Sequence, residues 1–238
     1  MTHGFFVVGT DTGVGKTFTT MLIARELAQS GKSVGCYKPV CTGAEYPQSS
    51  DQPVWPDVEA LRSVCTVDAP IDRVCPQRFL APLAPPVSAA AEQRLVDARM
   101  LSAGVEFWDG HVEFLLVEGV GGILCPLTET DFVADLAGEL GFPVIIVGRL
   151  GLGTINHTLL TIEAADRRKL PVVGLILCEV TPAAGDASAA TNAAEIEART
   201  DVPVLGVIPH GAAGGLLHRG GIIRMDWAAL VRGIVRHL

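Results

Sequence analysis

Short apolar runs rich in β-branched residues recur along the chain, separated by amphipathic stretches long enough to form helices. The runs are FFVVG at 5–9, SVGCYKPV at 33–40, EFLLVEG at 113–119, PVIIVG at 143–148, PVVGLILCEV at 171–180 and PVLGVIP at 203–209. A run without alternating polar positions reads as a strand buried on both faces, which means parallel strands covered by helices. The intervening periodicity predicts helices near 16–30, 131–141, 154–168, 187–199 and 226–237. Strand and helix alternate throughout, so the expected fold is α/β: a doubly wound, mostly parallel sheet with helices on both faces.

The stretch from about Glu45 to Val87 breaks the rhythm, because it is rich in proline and short of clear strands. It is too long for a bare loop and reads as an excursion at the carboxyl ends of the strands, where open α/β sheets place ligands. No internal repeat, low-complexity tract or linker divides the sequence, so residues 1–238 are expected to form one domain.

Composition removes several function classes. The formal net charge of −8 disfavours the basic surface that binding to nucleic acid demands. No apolar run reaches the roughly 18 residues of a membrane span, and MTHGFFVVG lacks the basic flank and cleavage site of a signal peptide. A soluble cytoplasmic protein is expected. The six cysteines are scattered without a C-x-x-C pair or zinc-ligand spacing, as buried apolar groups in a reducing compartment would be. His3, His111, His157, His210, His218 and His237 show no ligand spacing either.

Four segments carry candidate chemistry. Gly9 to Thr17, GTDTGVGKT, follows a strand and precedes a helix. Small residues there let backbone N–H groups converge on phosphate, Lys16 neutralises the outer phosphates, and the Thr17 hydroxyl suits magnesium. Gly9 stands one residue earlier than the usual first glycine, whose slot holds Thr10. YKPVCTG at 37–43 brings a second lysine, Lys38, to the same sheet edge. In VEGVGG at 117–122, Glu118 ends an apolar strand, where a buried carboxylate with no cation or base nearby is costly; the position suits a direct or indirect magnesium contact, or a cap of the following turn. A fourth segment, GLGTINH at 151–157, is a glycine-rich turn opening a helix. Its N–H groups and helix dipole suit a carboxylate; a plain N-cap by Thr154 accounts for the same residues locally.

Together, and in this order over nearly the whole chain, these segments resemble dethiobiotin synthetase, an ATP-dependent enzyme family with a P-loop NTPase-like fold. The resemblance implies ring closure of 7,8-diaminononanoate with carbon dioxide and ATP, giving dethiobiotin, ADP and phosphate. It implies that Lys16 and the amides of Thr12, Gly13, Val14, Gly15 and Thr17 hold the triphosphate. Thr17, Asp57 and Glu118 would face magnesium, with Asp51 close to Asp57 in sequence. Lys38 and Thr42 would meet the substrate. Gly153, Thr154 and Asn156 would receive its distal carboxylate from the other subunit of a homodimer. The base would lie against Cys178 and the Pro209, His210, Gly211 turn; many relatives carry Asn where this chain has Cys178, which leaves base preference open.

The alternative of a different class is a ParA or MinD-like ATPase switch, similar in fold. Those proteins carry a lysine early in the P-loop, where this chain has Asp11. Their basic amphipathic membrane helix is also poorly matched by 225–238, whose cations are Arg232 and Arg236. An amidotransferase-type synthetase such as cobyrinate diamide synthetase shares the P-loop form, but its glutaminase portion does not fit within 238 residues.

Overall fold

A computed structural model describes residues 2–48, 51–182, 186–211, 215–218 and 221–235. The runs read as buried strands form the centre of an eight-stranded sheet in the order β10-β9-β8-β7-β6-β1-β5-β2. Its strands are β1 (His3–Gly9), β2 (Val34–Tyr37), β5 (Phe114–Gly122), β6 (Val144–Arg149), β7 (Val172–Cys178), β8 (Val204–Ile208), β9 (Leu216–His218) and β10 (Gly221–Ile223). From β2 to β8 every pairing is parallel. Phe5 to Val8 and Val144 to Val147 are fully buried without alternation, so helices cover both faces of these strands. The doubly wound reading holds.

The helices are α1 (Lys16–Gln29), α2 (Pro56–Ser63), α3 (Ile71–Val74), α4 (Pro85–Ala91), α5 (Ala98–Ala103), α6 (Val133–Leu140), α7 (Thr154–Arg167), α8 (Asn192–Glu197) and α9 (Trp227–Val235). Four of the expected helices match α1, α6, α7 and α9; of 226–237, the last two residues lie outside the described range. The helix expected over 187–199 is shorter. Ala187–Ala190 forms a 3₁₀ turn and α8 starts only at Asn192, in a stretch where Ser, Thr and Asn side chains compete with helical hydrogen bonding.

The strand expected over 33–40 also divides. Pro39 has no N–H for a ladder, and the Lys38 N–H donates to Val74 O at 2.7 Å instead of to the sheet. Beyond that break β3 (Val40–Thr42) pairs in parallel with β4 (Gln77–Phe79) as a separate small sheet. The proline-rich excursion is therefore structured. Pro56 starts α2 at a position where a missing N–H costs nothing, and the Trp55 indole N–H fixes that start by donating to Phe79 O at 2.9 Å.

β1 lies between β5 and β6: on one side the chain first places β2 at the edge and later inserts β5 beside β1, and on the other it adds β6, β7 and β8 outward in turn. Its carboxyl end is thus the topological switch point, where the crevice of such a sheet opens. The C-terminal edge adds what the apolar runs did not predict: β9 pairs antiparallel with both β8 and β10. Among the described residues, no helix is long and apolar enough to cross a membrane.

Candidate active site at the switch point

A cleft of about 530 Å³ opens at the end of β1, with Thr12, Gly13, Gly15, Lys16 and Thr17 on one wall and Lys38, Thr42 and Asp57 on another. The loop between β1 and α1 turns on two glycines in the left-handed region, Gly13 at φ +70° and Gly15 at φ +99°. Gly9 is held to glycine by contact: a Cβ there would stand 2.6 Å from Asp11 O and 2.8 Å from Lys16 Nζ. The early glycine thus has its own reason to be present. Lys16 is 7 % exposed and donates to Asp11 O at 2.9 Å. Val14 is buried behind the loop.

Lys38, placed by the break after β2, is 3 % exposed and lies between two carboxylates. Its Nζ donates to Glu118 Oε1 and to Asp57 Oδ2, each at 2.6 Å. Glu118, expected at a strand end, instead lies fully buried in the middle of β5, which continues to Gly122, and it also accepts from the Thr17 hydroxyl at 2.9 Å. Burial alone would depress the Lys38 ammonium, but Glu118, followed by Cys41 and Asp57, outweighs it and holds the group above its ordinary value. Asp57 shows the converse balance: burial raises it, Lys38 outweighs burial, and the carboxyl sits below its usual range. Lys16 is lowered, first by burial and then by Lys38, with Glu118 opposing. Of the two candidate aspartates, both exposed, Asp57 is the one that reaches Lys38.

Two ammonium groups and two carboxylates cancel, so the cluster alone offers no excess charge to an anionic substrate. Glu118 Oε2 is buried with no hydrogen-bond partner among the described residues, which is costly for a carboxylate oxygen. A hard oxygen acceptor beside Thr17 and Asp57 fits magnesium.

The other expected residues lie apart from this cluster. Cys178 is 4 % exposed and turns beneath the phosphate loop, its Sγ 3.3 Å from Thr19 Oγ1 and 4.0 Å from Gly15 O. Burial pushes this thiol up to about 11, against the Thr19 contact. Val180, two residues on, lines the cleft instead. The Pro209–Gly211 turn is fastened to the same strand end, because the His210 N–H donates to Glu179 Oε2 at 3.0 Å. Gly153 and Asn156 are exposed at the start of α7 and do not line the cleft. Thr154 points inward: it is 4 % exposed, its N–H donates to Gly151 O at 3.2 Å, and a Cβ on Gly148 would lie 3.4 Å from its hydroxyl. Sequence reading missed the wall built by Cys41, Pro82, Leu83 and Cys125; Cys41 stands within YKPVCTG and Cys125 three residues beyond VEGVGG, while Pro82 and Leu83 gave no chemical signal.

A family model described as an AAA domain matches residues 3–213. ATP-dependent dethiobiotin synthetase BioD of Anaeromyxobacter dehalogenans is 42 % identical over 208 residues, covering 87 % of this chain and 90 % of the relative. The chain belongs to the dethiobiotin synthetase family. The enzyme of that name from Thermodesulfovibrio yellowstonii is 38 % identical over 218 residues, covering 88 % and 90 %. In fold alone, the chain resembles the signal recognition particle receptor FtsY of Elizabethkingia anophelis, with a TM-score of 0.50 at 15 % identity over 98 % of this chain and 65 % of that one. The phosphate loop, Lys38, Asp57 and Glu118 of this dethiobiotin synthetase family member all lie within the matched span.

Proposed function

We propose that the protein closes the urea ring of dethiobiotin on 7,8-diaminononanoate, using carbon dioxide and ATP in the cytoplasm. The observation that carries this reading is Lys38 held between Asp57 and Glu118 directly beside the phosphate loop. The reaction divides into carbamate formation on one amine, transfer of the γ-phosphoryl group to the carbamate oxygen, and attack by the second amine with loss of phosphate. Each step concentrates negative charge, so positioning and charge neutralisation are the main tasks of the protein. Lys16 and the amides from Thr12 to Thr17 hold the triphosphate. Lys38 sits where the carbamate and the transferring phosphoryl group meet, with Thr42 on the substrate wall. Thr17, Asp57 and Glu118 would hold a magnesium ion, which would supply the positive charge that the cluster lacks. No protein nucleophile is required, because the substrate brings both amines.

The distal carboxylate of the diamine is taken by the α7 turn of a second subunit, at Gly153 and Asn156 with Thr154 shaping the turn. Support comes from exposure of Gly153 and Asn156 outside the cleft of their own chain, next to an 81 % exposed Leu152 and a 57 % exposed Leu160. The decisive assay supplies the purified protein with diaminononanoate, bicarbonate, magnesium and ATP. Dethiobiotin detected by mass is the expected result. Phosphate release driven by DNA or lipid vesicles and indifferent to the diamine would instead indicate a ParA or MinD-like switch.

Base selection is expected to be loose. Cys178 offers only a weak donor and acceptor, and its thiol is turned toward Thr19. Discrimination then falls to packing, so CTP or GTP should support synthesis within roughly a hundredfold of ATP in kcat/KM. Measuring the four ribonucleotides decides the matter. A preference for ATP near 10⁴, typical of paired hydrogen bonds, would assign base reading to main-chain groups at Pro209 to Gly211.

A further inference from the structure

The peptide unit joining Gly151 to Leu152 is gripped at both ends by side chains from the segment that leads into α8. Gly151 O accepts from Asn192 Nδ2 at 2.9 Å, in addition to the Thr154 N–H. On the opposite edge of the same peptide plane, the Leu152 N–H donates to Asp186 Oδ2 at 3.1 Å. Asp186 is itself fixed, because the N–H and hydroxyl of Ser188 donate to its Oδ1 at 2.9 and 2.6 Å. Asn192 is 2 % exposed, and burying an amide side chain is unfavourable unless its hydrogen bonds are met.

Glycines flank this peptide on both sides, and Gly153 is in the left-handed region at φ +91°. Such a turn is conformationally free when unsupported. Rotation of the 151–152 peptide would break its bonds to Asn192, Asp186 and Thr154 together. The bonds therefore fix the direction in which α7 begins, and with it the N–H groups of Ile155 and Asn156, which a helix leaves without intrahelical partners. Hydrogen bonds from Ser188 first, and then from the Leu152 N–H, hold the Asp186 carboxyl below the usual range.

Resting on the proposed synthesis of dethiobiotin, we infer that Asn192 and Asp186 are positioning residues for recognition of the diamine's distal carboxylate, acting through the Gly151–Leu152 peptide. Neither touches the substrate. They prepay the ordering of the turn that does, and preorganisation of this kind appears in affinity rather than in chemistry.

The test compares full-length wild type with Asn192→Leu and Asp186→Asn, using diaminononanoate and its methyl ester, which lacks the carboxylate charge. Both variants should raise KM for diaminononanoate by about tenfold or more, the effect of roughly one lost positioned hydrogen bond. Turnover at saturating diamine and KM for ATP should stay within about twofold. The preference of wild type for the acid over the ester should shrink in the variants, which a general loss of stability would not produce. Asp186 is only partly buried, so its variant keeps the test usable if Asn192→Leu folds poorly. An acid-to-ester preference equal to that of wild type in a folded variant overturns the inference alone. Wild type that makes no dethiobiotin overturns the proposed function, and this inference with it.

Discussion

Replacing Lys38 by methionine should lower kcat for dethiobiotin synthesis by about 10²–10³, the cost of losing one preorganised charge at a developing anion, while ATP binding stays within a few fold. Methionine keeps much of the length of the side chain and deletes its charge. The split is expected because Lys16 and the loop amides bind the triphosphate from a different element, whereas Lys38 enters from the break after β2. A second effect follows from burial. Glu118 is fully buried and would lose its ammonium partner, and breaking a buried ion pair costs on the order of 3–5 kcal/mol. Asp57 is half exposed and water can replace its partner, so the stability loss arises mainly at Glu118. Adding Glu118→Gln should recover much of the stability, since the neutral amide tolerates burial better, and should recover none of the synthesis. Denaturant unfolding beside turnover separates the two effects. Unchanged turnover in the single variant would remove Lys38 from the mechanism.

The same residue shows how far the sequence could be read. Apolar runs without alternation located the parallel strands because burial on both faces leaves no other pattern, and GTDTGVGKT located the phosphate loop because each residue type answers a separate need of the anion. That Lys38 would stand between Asp57 and Glu118 was only partly legible. Asp57 comes from an excursion whose α2 is anchored by Trp55 on β4, and neither periodicity nor spacing announces that contact. Strands β9 and β10 were missed for another reason: LLH and GII are too short to establish a period. Cys178 could be identified as a departure from the family pattern, but the direction of its thiol depends on Thr19, which comes from a different element.

Mixing two inactive variants should regenerate activity. Lys16→Ala removes the phosphate grip of one subunit, and Asn156→Ala damages the α7 turn that the same subunit lends to its partner. In a two-fold dimer with sites shared across the interface, each site takes its phosphate loop from one chain and its turn from the other. A mixed dimer then has one site carrying both defects and one carrying neither. Random exchange between equal amounts puts about half of all dimers in the mixed form, so recovery should approach about a quarter of wild-type activity per subunit. Sites built within single chains predict no recovery, because every chain would remain defective. The exposed position of Asn156 outside its own cleft favours the shared arrangement. Exchange is verified independently, with one variant carrying a mass tag and mixed dimers detected by native mass spectrometry. Activity that stays at the level of the separate variants, once mixed dimers are present, would rule out sharing through α7.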